Sequence, residues 1–170
     1  MHILLTGEIQ VGKTTIIQKF LSQSGLSADG FMTYWTQDDS GNRSLYLSPY
    51  STGLHIAERH LIACSADCTS LRTEKAACIF DVYGSEILSA SGKQDVIVMD
   101  ELGRLESEAT VFQAAVMRHI LSDVPILGVI KPAQTEFLGK IRAHPAVETH
   151  EVTLANRDSA LKWLLKRYRR

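Results

Sequence analysis

The chain has 170 residues, 45% of them hydrophobic and 22% charged, which excludes a disordered chain, a collagen-like repeat or a disulfide miniprotein. Folding at this length buries roughly two-thirds of the unfolded surface, so one hydrophobic core suffices and a single domain over residues 1–170 is expected. Eighteen Lys plus Arg against nineteen Asp plus Glu give a formal charge of -1, too little for a global field that would hold nucleic acid or an anionic membrane, so any anion site must be local.

Residues 2 to 6 hold the apolar run Ile3-Leu4-Leu5 with no basic stretch before it, which reads as a buried strand and not as a signal peptide. No segment approaches the roughly 20 apolar residues needed to span a bilayer, and a cytoplasmic location is expected. The three cysteines are then expected as reduced thiols.

Directly after that strand comes Gly7-Glu8-Ile9-Gln10-Val11-Gly12-Lys13-Thr14, a match to G-x-x-x-x-G-K-[ST]. Ile16, Ile17, Phe20 and Leu21 then recur at helical spacing. The motif thus lies between a buried strand and an amphipathic helix, as a phosphate-binding loop requires. Gly7 and Gly12 allow backbone angles at which successive N–H groups converge on phosphate oxygens at the positive end of the helix. Lys13 is expected to reach the β and γ oxygens, and the Thr14 hydroxyl to supply one ligand of an octahedral Mg2+. Thr15 closes the candidate nucleotide-binding stretch and is read mainly as helix.

From Gly30 to Tyr50, two aromatic and aliphatic runs flank Asp38-Asp39-Ser40-Gly41-Asn42, the pattern of a β-hairpin with a polar turn. Tyr34 and Trp35 should face opposite sides of their strand. The outward ring is expected to stack on a base or to pack beneath a protein partner at this hairpin. Residues 51 to 80 show no clean period, and a short helix is expected from about Tyr83 to Ser91. His60, Cys64, Cys68 and Cys78 fall within nineteen positions as possible zinc ligands, and the first three would align if that stretch were helical. Zinc sites usually show two tight ligand pairs, so small core thiols are the competing reading.

Val96-Ile97-Val98-Met99 followed by Asp100-Glu101 is a buried strand that delivers carboxylates to its C-terminal end, where ligands bind in open α/β sheets. Asp100 is expected to hold Mg2+ through water, and Glu101 to orient and deprotonate an attacking water. Phe112, Ala115, Val116 and Ile120 mark a helix, residues 125 to 130 a further strand, and Leu161, Leu164, Leu165 and Tyr168 a final helix. Asn156 to Asp158 reads as the cap of that helix or as a nucleotide contact. The basic end, Lys166 to Arg170, complements the helix dipole. Alternating buried strands and amphipathic helices predict a three-layer α/β fold with a mostly parallel central sheet.

The phosphate loop, Gly30-Phe31 with Thr33, the run Asp100-Glu101-Leu102-Gly103-Arg104-Leu105-Glu106 with Ser107 and Phe112, and Asn156-Arg157-Asp158 resemble the small P-loop nucleoside-triphosphatase family. That family includes the thermophile nucleoside phosphohydrolase and the human cancer-related nucleoside-triphosphatase. The resemblance implies a RecA-like P-loop core, here with a β-hairpin insertion, that hydrolyses ATP, GTP and other nucleoside triphosphates with Mg2+. The residue matching Glu101 would be the base. Family members usually carry Glu-Val-Arg after the Gly-Phe-x-Thr element, where this chain has Trp35-Thr36-Gln37. Arg43 falls where the family's next arginine follows the turn. Arg104, Lys131 and Arg157 are candidates to neutralise transition-state charge, with Arg157 also a candidate nucleotide contact. Two other readings are kept. A nucleotide-dependent switch or partner-regulated ATPase would use binding to reshape the hairpin and residues 51 to 80 rather than turn over quickly. A small-molecule P-loop kinase would share Lys13, Thr14 and Asp100, but no arginine-rich lid follows the third helix.

Overall fold

The computed structural model describes residues 1–54, 56–65, 73 and 75–168. The strands are β1 (His2–Thr6), β2 (Ala28–Gln37), β3 (Arg43–Pro49), β4 (Leu61–Ser65), β5 (Val96–Leu102), β6 (Ile126–Ile130) and β7 (Val147–Glu151). The helices are α1 (Lys13–Ser24), α2 (Ala76–Ile79), α3 (Ser85–Ala90), α4 (Thr110–Ile120), α5 (Glu136–Ala143) and α6 (Arg157–Arg167), with a π turn (Phe80–Gly84) joining α2 to α3.

All strands share one sheet in the order β4-β3-β2-β5-β6-β1-β7. β2, β5, β6, β1 and β7 run parallel, and β3 and β4 are added antiparallel at one edge. The hairpin expected from its aromatic runs is therefore part of the sheet. Its first strand, β2, pairs in parallel with β5 from Ala28↔Val96 to Phe31↔Met99.

The central strands are apolar on both faces because both faces are covered. Ile3, Leu5, Val96, Val98, Leu127 and Val129 meet α1 and α6 on one side. Leu4, Phe31, Ile97, Met99 and Ile130 meet Leu88, Phe112, Val116 and Leu138 on the other. Phe112 anchors that second layer, with its ring 5.3 Å from Phe31 and 4.9 Å from Phe80. The π turn makes room for it, since a Cβ on Gly84 would stand 2.7 Å from the Phe112 ring.

Several elements differ from the sequence expectation. Helical structure begins at Ala76 rather than near Tyr83. β4, β7 and α5 have no clear signal in the sequence; β7 is polar throughout from Glu148 to Glu151, as befits an edge strand paired only with β1. His60 ends a 3-10 turn (Glu58–His60) and Cys64 lies in β4, so their spacing aligns nothing on a helix. His60 instead stacks on Tyr83 with centroids 3.9 Å apart. Cys78 is exposed on α2, and Cys68 lies outside the described residues. Among the described residues no three His, Cys, Asp or Glu side chains are grouped to hold a metal, and no helix is long and apolar enough to cross a membrane.

Candidate active site

The C-terminal ends of β1, β5 and β6 open into a cleft of about 1130 Å3. The segment from Gly7 to Thr14 wraps one end of it. Gly7 has φ 128° and Gly12 φ 97°, and a Cβ on Gly7 would collide with the Val152 carbonyl oxygen where the chain leaves β7. Gly12 occupies the N-cap of α1 with no side chain to cap it, so the first-turn amides stay free for an anion. Gln10 also takes a positive φ, 64°.

Gly7, Glu8, Ile9, Gln10, Gly12, Lys13, Thr14 and Thr15 line the cleft. Val11 does not; its side chain is buried in the layer shared with α1 and leaves only its backbone to the loop. Lys13 Nζ donates to the carbonyls of Gly7 at 2.9 Å and Glu8 at 2.5 Å. Burial lowers its pKa, opposed by the charges of Glu101 and Asp100.

Thr14 Oγ1 donates to Asp100 Oδ1 at 3.2 Å, bringing a hydroxyl on α1 against a carboxylate at the end of β5. Asp100 is 3% exposed. Burial pushes its carboxyl up to about 6, while the Thr14 bond and the Lys13 charge pull it down. This donor pair is all oxygen and carries one carboxylate, which suits Mg2+, an ion that keeps waters and phosphate oxygens for its other positions.

Glu101 enters the cleft by a break in the strand. β5 and β6 shift register between Asp100 and Leu102, and Glu101 has φ 86°. Regular alternation would send Glu101 to the opposite face from Asp100. The bulge adds one residue, so Met99 and Leu102 both reach the α4 side while Asp100 and Glu101 both line the cleft. A non-glycine residue held at positive φ stores strain, which the surroundings must hold in place. Thr33 Oγ1 on β2 donates to Glu101 Oε2 at 2.6 Å, and Lys131 Nζ, just beyond β6, forms an ion pair with Oε1. The loop carrying Lys131 is held from α5, where Arg142 Nη2 donates to the carbonyls of Lys131 and, at 3.0 Å, Ala133.

Beyond Glu101 the run turns back. Glu106, 1% exposed, accepts from the Gly103 N–H, and burial raises its carboxyl to about 7. Arg104 is exposed on the loop so closed and lines the cleft. Trp35 and Leu45, paired across β2 and β3, form the wall beside Thr33. The Arg43 guanidinium lies 4.5 Å over the Trp35 ring. Tyr34 points to the other face and donates to Met32 Sδ at 2.6 Å.

Two expectations are not met in this arrangement. Arg157 opens α6 beside Asp158, with 4.0 Å between them, and is not among the residues lining the cleft. Asn156 makes no side-chain cap bond to α6. It pins the preceding loop instead, accepting from the Thr153 N–H at 2.8 Å and donating to the Glu151 carbonyl at 2.9 Å. Sequence reading also passed over Thr33 as a partner of Glu101 and Arg142 as a brace for Lys131. Neither has a local signal, because each partner is supplied by a distant strand or helix.

A mostly parallel sheet with helices on both faces and a G-x-x-x-x-G-K-[ST] loop between β1 and α1 defines a P-loop NTPase fold. The chain belongs to the NTPase family, whose sequence profile matches residues 2–165, and is an enzyme of the nucleoside-triphosphatase class. It is 30% identical to a nucleoside-triphosphatase THEP1 of Thermotoga petrophila over 97% of this chain and 91% of that one. It is also 30% identical to the mouse cancer-related nucleoside-triphosphatase homolog over 94% and 92%. The solution structure of a human cancer-related nucleoside triphosphatase superposes with a TM-score of 0.71 at 26% identity, covering 98% of this chain and 96% of that one. The crystal structure of THEP1 from Aquifex aeolicus gives 0.74 at 22% identity, with both chains fully covered, and shares the fold.

Proposed function

We propose that residues 1–170 act as a single cytoplasmic domain that hydrolyses nucleoside triphosphates, ATP and GTP among them, to diphosphate and phosphate with Mg2+. The observation that carries this reading is the bulge that turns Glu101 into the same cleft as Lys13, Thr14 and Asp100. A carboxylate so placed serves no need of mere nucleotide binding, but it suits a base that must face an attacking water.

The amides of Gly7 to Thr14 cradle the phosphates, and Lys13 swings from the Gly7 and Glu8 carbonyls to the β and γ oxygens. Thr14 and Asp100 would hold Mg2+, which when bound neutralises charge on the β and γ oxygens. Glu101, steadied by Thr33 and Lys131, orients a water and accepts its proton. Arg104 and Lys131 stand near enough to offset the negative charge that gathers on the γ-phosphoryl oxygens.

Phosphate release from a panel of nucleoside triphosphates with Mg2+, measured with and without candidate acceptors, tests the reading. Glu101→Gln should bind nucleotide as the parent does and lose turnover by about 10²- to 10⁴-fold. Lys13→Ala should lose both affinity and turnover. Full turnover in Glu101→Gln would remove Glu101 as the base. A second reading, a nucleotide-dependent switch acting on a protein partner at the 28–49 hairpin, is favoured by one contact, the Thr33 bond that ties the hairpin to Glu101. Tight binding without turnover would put that reading first.

A further inference from the structure

The cleft holds more than a triphosphate chain and a water require. Beside Glu101 its lining gathers apolar side chains, Trp35 and Leu45 from the hairpin, Leu105 from the loop after β5, and Pro132 and Ala133 from the loop after β6, with the charged Arg104 and Lys131 among them. These walls come from separate elements, and the whole space, about 1130 Å3, exceeds the range of roughly 300–1,000 Å3 usual for small-ligand sites. Neither phosphate oxygens nor water gain from apolar walls. Trp35 is 40% exposed, and its ring is pre-set by the Arg43 guanidinium, the mark of an aromatic wall fixed before anything lands on it.

The position of this lobe says which end of the nucleotide it adjoins. Lys13, Thr14 and Asp100 mark the β and γ phosphates, and Glu101 marks the side from which the γ-phosphate is attacked. Thr33, the partner of Glu101, is two residues from Trp35 on the same strand face. The apolar lobe therefore lies beyond the γ-phosphate, on the nucleophile's side, and the nucleoside occupies the opposite end.

We propose that this lobe is a second-ligand site that binds an uncharged organic molecule with a ring-sized apolar body at the same time as the nucleotide, so that its occupant decides how much water reaches Glu101. The proposal rests on the hydrolase reading for the direction of the triphosphate. Its failure is separable from the failure of that reading, because nucleotide affinity is measured on its own.

The test uses N-phenylnaphthylamine, an uncharged fluorophore that brightens in apolar sites, with the full chain in the presence of Mg2+. Titration with a non-hydrolysable triphosphate analogue first establishes nucleotide binding; if none is seen, it is the phosphate-site reading that fails. The fluorophore should then bind one saturable site with nearly equal affinity with and without saturating analogue, and it should slow phosphate release non-competitively against ATP. Trp35→Ala and Ala133→Glu, both at partly exposed positions, should each weaken the fluorophore by tenfold or more while analogue affinity stays within a few fold. Circular dichroism confirms that each is folded, and either folded variant suffices. Displacement of the fluorophore by the analogue would assign the lobe to the nucleoside and overturn the proposal. So would unchanged binding in the folded variants, or no saturable binding to the parent.

Discussion

Glu101, the proposed base, has a conformation held from outside its own strand. A positive φ at a residue with a full side chain costs of order 1–3 kcal/mol, which the Thr33 bond and the Lys131 ion pair help to offset. Thr33→Val keeps the shape of the side chain and removes only the donor. Hydrogen bonds to charged groups contribute roughly 1.5–3 kcal/mol, so turnover should fall by about tenfold or more with little change in nucleotide affinity. Thr33→Ser restores the hydroxyl and should recover most of the rate. Steady-state kinetics on the two variants check this, and a Thr33→Val enzyme with full kcat would show that Lys131 alone suffices.

At the scale of elements, the hairpin of β2 and β3 forms the wall of the cleft next to Glu101. Its strands read in the sequence as a hairpin inserted into a parallel core, and the parallel pairing of β2 with β5 makes it continuous with that core. In the proposed reading Trp35 faces the γ-phosphate side of the cleft, and its emission reports on that side. The chain has two tryptophans, and Trp163 is stacked on His150 with centroids 4.1 Å apart, among residues packed with the α1 layer. In Trp163→Phe, ATP and inorganic triphosphate should change the Trp35 emission alike, since neither places a base there. Saturable quenching by ATP alone would instead bring the base to Trp35.

For the molecule as a whole, the two buried acids near the site each add a pH-dependent share to folding stability. Burial raises Glu106 to about 7 from an ordinary value near 4.5, and Asp100 to about 6. The native state therefore holds protons that the unfolded chain has released. Their contribution to stability is greatest below the ordinary carboxylate range and declines as pH rises towards those raised values, becoming level above them. Glu106→Gln can still accept from the Gly103 N–H but never ionises, so it should lose its share of that decline. Its gain over the parent in urea denaturation should be larger at pH 8 than at pH 5, by roughly 1–3 kcal/mol at about 1.4 kcal/mol per pKa unit. An equal difference at both pH values would mean that Glu106 titrates as an ordinary exposed acid.

What the sequence determined alone is what local chemistry writes into neighbouring residues. β1, β5 and β6 stand out as unbroken aliphatic runs because both their faces are covered, and α1 and α4 by apolar stripes at helical spacing. The phosphate loop is legible because glycine angles, a lysine and a hydroxyl must sit at set separations on one turn of chain. β4, β7 and α5 lack such a signature, since edge strands and short helices draw their stability from neighbours distant in the chain. Tertiary structure alone decided that Glu101 shares a cleft with Asp100, for strand alternation would part them and only the register shift against β6 brings them together. It also decided that Thr33 and Lys131 hold that carboxylate and that Arg142 braces the loop behind it. Those partners lie far apart in the chain, and a hydrogen bond leaves no periodic trace in a sequence.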